Sequence, residues 1–380
     1  MKKLILIIVP LLLASFLAAI DFEYDGEIRT RGAIYNDQYE RDGGHVDSRL
    51  RLGMSTQLAA SLLLYAQLQL GDVIWGDLSS YGGGKTGYGG GIPTSVSISA
   101  YQMYIDYRIR MLDSNLRVGQ QYWADNMGLI IDDSFSGVML NMDSLLGLDA
   151  NFGWIKAKEL NLVNDDDYNY FLMNLRTPHP LPLGVFASYG RDNNRDYSTA
   201  TLMPFVSLDI DPIQIDANVF AGLHFNDPGD DEVGLGAALK AKVDLGAIGA
   251  GADLLFATEN GIEVLSPYYQ NGLYIYGYGT HHDGLNLYWN DPYSQNTDSV
   301  LSLVGKVNTQ IIPRLNFFGA AGYLLDAGME INGGVEVDLI PELLQLSCFG
   351  AIGWHEGNEI PSKADGATNY VLGTTLEVKF

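Results

Sequence analysis

The fold of this chain is decided by one segment, Asn369-Tyr-Val-Leu-Gly-Thr-Thr-Leu-Glu-Val-Lys-Phe380. Apolar and polar side chains alternate along it, and successive side chains of a strand point to opposite faces of a sheet. One predicted face carries Tyr370, Leu372, Thr374, Leu376, Val378 and Phe380. The other carries Asn369, Gly373, Thr375, Glu377 and Lys379. The alternation predicts a strand with an apolar side and a polar side.

The same pattern recurs along the chain in segments of about ten residues separated by turn residues. Alternation of this kind is typical of a transmembrane barrel, whose outside is apolar, whose lumen is polar and whose sheet must close on itself. The last strand also resembles the C-terminal signal of bacterial outer-membrane barrels, carried here by Leu376, Val378 and Phe380. That resemblance implies recognition by the barrel-assembly machinery and contact with outer-membrane lipid and lipopolysaccharide.

The N-terminus predicts export. Lys2 and Lys3 precede an apolar run from Leu4 to Leu17, and Ala18 and Ala19 follow. This order is that of a secretory signal peptide, so we expect a signal at residues 1–19 and a barrel at 20–380. A retained anchor is the alternative, but the run is shorter than the roughly 20 residues that a spanning helix needs.

Composition excludes other classes. Removal of the signal peptide would take away two lysines and no acidic residue, which changes the net charge from −24 to −26. A chain this acidic is not expected to bind nucleic acid. His45, His179, His224 and His355 lie on separate segments, and we do not expect an enzyme. No cofactor or metal centre is predicted, although the acidic loops could hold Ca²⁺ through carboxylate oxygens. Those loops contain Asp165, Asp166, Asp167, Asp227, Asp230, Asp231 and Glu232.

The connections alternate between short and long, as the periplasmic turns and extracellular loops of such barrels do. We expect tight turns near residues 59–60, 112–114, 143–146, 178–182, 211–212, 246–247, 312–313 and 341–342. Longer loops are expected near 36–45, 76–95, 123–133, 161–167, 191–197, 226–232, 258–297 and 357–367. The count predicts an all-β transmembrane antiparallel barrel of about 18 strands in one domain, with 16 as the second choice, and either number leaves an aqueous channel.

Arginines at predicted lumen positions are the main candidate for selectivity. Spacing of two places Arg29 with Arg31, and Arg49 with Arg51, on one face of their strands, while Arg108 and Arg117 lie on later ones. A stacked row of guanidinium groups would favour anionic solutes. The alternative is that these arginines pair with carboxylates on the same wall, and both can hold together. The candidate carboxylates are Glu23, Asp25, Glu27, Asp47 and Asp106.

Two stretches resemble a known family. Arg117-Val-Gly-Gln-Gln121 followed by Ser134-Phe-Ser-Gly-Val138 is similar to the strand–loop–strand signature of alginate-export-type porins. The resemblance implies a monomeric 18-stranded outer-membrane barrel whose arginine-rich lumen passes an acidic polysaccharide. Gln120 stands where that family usually has arginine and Ser136 where it usually has aspartate, so the match supports the fold more than the substrate.

The loop from Thr258 to Asp298 is the second candidate, because loops of this length are often functional. Folded inward it would narrow the pore, and folded outward it would be a surface loop. Its aromatic residues are Tyr268, Tyr269, Tyr274, Tyr276, Tyr278, Tyr288, Trp289 and Tyr293. Together these features predict a passive channel for small polar or acidic solutes. The alternative is a structural or surface-binding barrel with a blocked lumen and cation-binding loops.

Overall fold

The computed structural model describes residues 21–36, 42–75, 98–158, 167–178, 182–226, 229–266, 269–276, 299–325, 327–355 and 368–380. The predicted signal peptide lies outside these residues. Eighteen strands are described: β1 Glu23–Asn36, β2 Asp42–Ala59, β3 Leu62–Ile74, β4 Ile98–Ile109, β5 Ser114–Ala124, β6 Asp132–Leu145, β7 Leu148–Lys158, β8 Tyr168–Arg176, β9 Leu183–Asp192, β10 Tyr197–Ile210, β11 Ile213–Asn226, β12 Glu232–Asp244, β13 Ile248–Ala257, β14 Val300–Ile312, β15 Leu315–Leu324, β16 Gly328–Ile340, β17 Leu344–His355 and β18 Thr368–Lys379. A 3₁₀ turn, Arg110–Leu112, lies between β4 and β5.

The sheet closes on itself. Each strand pairs antiparallel with its neighbours in sequence, and β18 pairs with β1 from Glu27 opposite Lys379 to Tyr35 opposite Val371. The seam continues to Phe380, whose amide donates to the Gly26 carbonyl at 3.0 Å while the Gly26 amide donates to the Phe380 carbonyl at 2.8 Å. The predicted fold class, an antiparallel barrel of 18 strands, is confirmed.

Large apolar side chains cover the outside of the barrel. Met103, Ile34 and Leu372 are 60%, 55% and 53% exposed, and all three alternate with buried or polar positions on their strands. Such a surface is stable only against lipid hydrocarbon, so the barrel spans a membrane. In the described part of the chain, no helix has the length and apolar character to cross a membrane.

The two rims differ as predicted. One rim carries the eight short connections at the predicted positions, from 60–61 between β2 and β3 to 341–343 between β16 and β17. The other carries the longer ones, including 75–97, 125–131, 258–299 and 356–367. Two connections on that rim are nevertheless short. Residues 193–196 form a tight turn where a longer loop was predicted, and only residues 325–327 join β15 to β16.

Strand β4 departs from strict alternation at a bulge that affects the wall carrying the arginines. The register between β3 and β4 shifts by one residue, because Gln67 pairs with Gln102 while Leu68 pairs with Ala100. Tyr101 is the extra residue of this bulge. Strict alternation with Met103 and Ile105 would predict that Tyr101 faces lipid, but its ring contacts the lumen-facing Arg51.

Candidate functional site

Four arginines form one block on the lumen side of β1 and β2. The register places Arg29 directly opposite Arg49 and sets Arg51 opposite Glu27 and Asp47 opposite Arg31. We call these six residues the arginine block. It holds four guanidinium groups against two carboxylates, so this part of the wall carries net positive charge.

In the arginine block, arginine–carboxylate pairing and a net positive charge occur at the same time, as the two interpretations of the sequence allowed. Arg31 Nε lies 2.9 Å from Asp47 Oδ2, and Arg49 Nη2 lies 2.6 Å from Glu27 Oε1. Asp47 is 2% exposed and also lies 3.9 Å from Arg29 and 3.2 Å from the His45 ring. Like charges facing each other across two strands are destabilising, and the interleaved carboxylates offset that repulsion.

Arg51 is held by aromatic and amide groups instead. Its guanidinium carbon lies 3.8 Å from the Tyr101 ring centroid, and its Nε donates to Gln69 at 2.8 Å. Within the described chain, no carboxylate lies within 4.0 Å of it. A guanidinium stacked on a ring keeps its edge donors available to a passing anion.

The strands that follow β2 add one further arginine to this wall. Arg117 donates to Asp106 Oδ2 from Nε at 3.0 Å and from Nη2 at 2.8 Å, and it stacks on Tyr104 at 4.4 Å. Arg108 does not join it, contrary to the prediction. Its side chain is half exposed at the short-turn rim, where it pairs with Asp113 at 2.6 Å.

Two predicted acids also lie apart from the arginines. Glu23 and Asp25 occupy the start of β1 near the short-turn rim, and neither has an arginine within 4.0 Å in the described chain. Asp25 instead accepts a long hydrogen bond of 3.4 Å from the Tyr65 hydroxyl. Of the five acids predicted to pair with arginines, only Glu27, Asp47 and Asp106 do so among the described residues of this wall.

The long loop after β13 turns into the barrel. We call residues 258–266 and 269–276 the inward segment. Tyr269, Tyr274 and Tyr276 are each at most 1% exposed and contact lumen-facing side chains. Tyr269 donates to Asp253 Oδ1 at 2.6 Å, and Tyr274 stacks on Phe349 with ring centroids 4.7 Å apart. The described part of the loop thus lies inside the barrel wall.

Glu330 on β16 fixes the far end of the inward segment. Its carboxylate is 1% exposed and accepts the backbone N–H groups of Tyr274, Ile275 and Tyr276 at 2.8, 2.8 and 3.1 Å. Asn332 donates to it as well, at 2.8 Å. Four donors on one buried carboxylate satisfy a charge that would otherwise be costly to bury.

Glu263 fixes the other end. The hydroxyls of Tyr168 on β8 and Tyr197 on β10 donate to its two carboxylate oxygens at 3.2 and 3.3 Å. The buried His224 on β11 lies 2.8 Å from the same Tyr197 hydroxyl and 3.4 Å from the Gly261 carbonyl. Burial raises the pKa of the Glu263 carboxyl above its ordinary value. The inward segment thus spans from the β8–β11 wall to the β16–β18 wall.

A second loop supports the inward segment. Asp125 accepts the amides of residues 127, 129, 130 and 131, which folds residues 125–131 into a compact turn. Leu129, Ile130 and Ile131 are at most 1% exposed, and the Leu265 and Ser266 amides donate to the Ile130 carbonyl. Apolar lumen-facing side chains of β6 to β10, such as Phe186 on β9, belong to the same buried cluster.

Three lysines form a second basic region, which we call the lysine wall. Lys240 and Lys242 on β12 lie 11 strands after β1 in the ring of 18, across the lumen from the arginine block, and Lys306 on β14 lies five strands before β1, about a quarter of the ring away. Lys306 lies 3.5 Å from Asp253, and Lys240 lies over the Tyr269 ring at 4.1 Å. Sequence reasoning missed this wall, although Lys240 and Lys242 show the same spacing of two that revealed the arginines.

Several predicted residues lie outside the described chain, among them Tyr268, Tyr278, Tyr288, Trp289, Asp165, Asp166 and Asp227. The described chain contains no group of three His, Cys, Asp or Glu residues that could hold a metal ion. Asp167 pairs with Lys156 across the β7–β8 connection.

No protein-family model matches this chain, and neither does any curated protein. Several solved structures do match in shape. OpdK of Pseudomonas aeruginosa, solved with vanillate, is 13% identical with a TM-score of 0.60, covering 94% of this chain and 98% of its own. OpdL of the same organism is 14% identical with a TM-score of 0.62, covering 95% and 98%. OccAB1 of Acinetobacter baumannii is 11% identical with a TM-score of 0.63, covering 95% and 97%.

At these identities the likeness shows the fold alone, which this chain shares with the outer membrane protein OpdK. The prediction of an outer-membrane barrel is therefore confirmed at the level of the fold. The narrower resemblance to alginate-export-type porins finds no family match and stays a prediction. The two matching stretches are paired, with Gly119 opposite Gly137 and Gln121 opposite Phe135.

Proposed function

We propose that this chain is a passive outer-membrane channel for small solutes that carry a carboxylate. One observation carries the proposal: a net positive block of four arginines lies on the wall of a closed, lipid-facing barrel whose long loop folds inward. Arg51 of that block stacks on Tyr101, and the neighbouring Arg117 stacks on Tyr104, so ring faces and guanidinium groups line one continuous surface. The vanillate in the OpdK structure, an aromatic carboxylate, is a solute of the class that such a surface suits.

The chemistry needed is binding and release without a covalent step. A guanidinium fork offers paired donors to a carboxylate and stays charged at any working pH. The carboxylates of the arginine block keep each such contact weak, and a solute must leave a site as readily as it enters for a channel to conduct. In this proposal the inward segment limits the size of the solute. Its residues Tyr269, Tyr274 and Tyr276 are held in position by their contacts with the barrel wall.

Export of an acidic polysaccharide is the narrower form of this function. The paired stretches that resemble alginate-export-type porins support it, while Gln120 and Ser136 depart from that pattern. A monomer is part of the same proposal.

A closed structural barrel is the second candidate, because the inward segment crosses the lumen and packs against both sides. In that account the acidic loops bind cations or partners at the cell surface. Planar-bilayer recording of the purified protein separates the two functions. Stepwise conductance with a larger permeability for chloride than for potassium supports the channel, and insertion without conductance steps overturns it.

A further inference from the structure

A cavity of about 530 Å³ lies beside the lysine wall, on the short-turn side of the inward segment. Lys242 lies two residues before the end of β12, which places the cavity in the half of the barrel that leads to the short turns. Gly272 of the inward segment lines the side of the cavity away from the short turns. The carbonyl of Gly272 accepts a hydrogen bond from the Asn332 side chain at 2.8 Å.

The cavity offers ammonium groups to an anion. Lys242 is exposed, and none of the described carboxylates lies within 4.0 Å of it. Lys306 shares Asp253 with the Tyr269 hydroxyl, so its charge is only partly balanced. The cavity is also lined by the carboxylates of Asp216 and Glu336, and the Glu336 carboxylate accepts the Asn316 amide at 3.0 Å.

One buried acceptor lacks a donor there. Asn332 is 7% exposed and lines the cavity, and its Nδ2 atom is committed to Gly272 and Glu330. Among the described residues, no hydrogen-bond donor reaches its Oδ1 atom. A buried carbonyl oxygen without a donor is costly, so it indicates a site that a hydroxyl group would complete.

The remaining lining fits a hydroxylated ring. Asn308 and Asn316 supply both donors and acceptors, as a sugar hydroxyl requires. Phe318 lies between them on the wall and presents an aromatic ring of the kind that packs against the apolar face of a sugar. The volume falls within the ordinary range of small-molecule pockets.

We infer that this cavity is a second solute site, which takes a sugar acid after it has passed the inward segment. Lys242 and Lys306 hold the carboxylate, and Asn332 Oδ1 accepts a hydroxyl. The inference rests on the proposed channel function and adds to it a chemical class and a place of exit.

The test is block of single-channel current by glucuronate, glucose and acetate, each added to one side of the bilayer at a time. Glucuronate has the carboxylate and the hydroxyls, glucose only the hydroxyls, and acetate only the carboxylate. We expect glucuronate to block best, and from the short-turn side at lower concentration than from the other side. Lys242→Gln should weaken that block about tenfold, as the loss of one charge-assisted contact predicts.

Two further variants make the test specific. Asn332→Ala should weaken block by glucuronate while leaving block by acetate unchanged. Lys379→Gln is the matched control, because Lys379 lies near the same rim on β18, outside the cavity lining, pairs with Glu377, and loses the same charge. It should leave block unchanged.

Equal effects of Lys242→Gln and Lys379→Gln, or equal block by glucuronate and acetate, would overturn the second site. Either result leaves the proposed function standing if wild type still prefers anions. The proposed function fails separately, through the absence of conductance or through a cation preference.

Discussion

The guanidinium carbon of Arg51 lies 3.8 Å from the centroid of the Tyr101 ring, although the two residues come from β2 and β4. The contact exists because a bulge on β4 turns Tyr101 into the lumen. It leaves Arg51 charged, stacked and without a described carboxylate within 4.0 Å, while Arg31 and Arg49 pair with Asp47 and Glu27. Arg51 is therefore the member of the arginine block best placed to meet a solute.

Arg51→Gln should lower the preference for anions and change stability by less than about 1 kcal/mol, because it removes one stacking contact at a solvated site. Arg31→Gln should behave differently, since it removes the 2.9 Å ion-pair partner of the buried Asp47 carboxylate and leaves it only the longer contacts with Arg29 and His45, which should cost about 3 kcal/mol. Reversal potentials report the first effect, and urea unfolding of the barrel in lipid vesicles reports the second. Equal stability losses in the two variants would contradict this division of roles.

Asp47→Asn should strengthen anion preference. The change removes the carboxylate that balances Arg29 and Arg31, and one charge at a few ångströms is worth about 1 kcal/mol in a wet lumen, or roughly fivefold in permeability ratio. The measurement is the reversal potential in a salt gradient. Asp113→Asn is the control, because Asp113 pairs with Arg108 at the rim, away from the block. A shift of equal size in the control would show that the block does not control selectivity.

Glu330→Gln should enlarge the conductance. An amide cannot accept three backbone N–H groups with the strength of a carboxylate, and its own NH₂ group would face those donors. The inward segment should then leave the β16 wall more often. Glu336→Gln is the matched control, since Glu336 lies on the same face of β16 and accepts a hydrogen bond from the Asn316 side chain on the barrel wall. Identical conductance steps in wild type and Glu330→Gln would show that the segment does not restrict the pore.

Acid should hold the inward segment more firmly in place. Burial raises the pKa of Glu263, so the docked segment binds a proton more tightly than the released one. Docking is therefore favoured at low pH, and this contribution is lost as pH rises through the raised pKa. We expect fewer brief openings at pH 5 than at pH 7.5. The groups around Glu263 include Tyr168, Tyr197, Arg195 and Asp192.

Glu263→Gln isolates that effect, because glutamine mimics the protonated carboxyl and does not titrate. Its opening frequency should be low and independent of pH across this range. A variant that keeps the wild-type pH dependence would assign the effect to another group.

The strand count, the closure and the short turns were predictable because each follows from local alternation and turn residues. Lipid and lumen impose opposite polarities on alternate side chains, and Leu372 beside Thr375 shows that contrast within four residues of β18. Tyr101 shows where the method fails, since one extra residue in a bulge reverses the face without a mark in the hydrophobic pattern.

The interior was less predictable. The spacing of the arginines along each strand predicted the arginine block. Which carboxylate each arginine pairs with depends on the register between two strands, which the sequence of one strand does not show. The inward course of the long loop depends on Glu330 and Glu263, which come from a distant strand and from the loop itself. An isolated acidic residue in a sequence does not show which backbone amides it will accept.

The most direct test of the channel account is the reversal potential of wild type and of the double variant Arg51→Gln with Arg117→Gln, recorded across a tenfold gradient of potassium chloride. We predict anion preference in wild type and its loss in the double variant, with stepwise conductance retained in both. Cation preference in wild type, or anion preference that survives the double substitution, would contradict an arginine-lined path for acidic solutes.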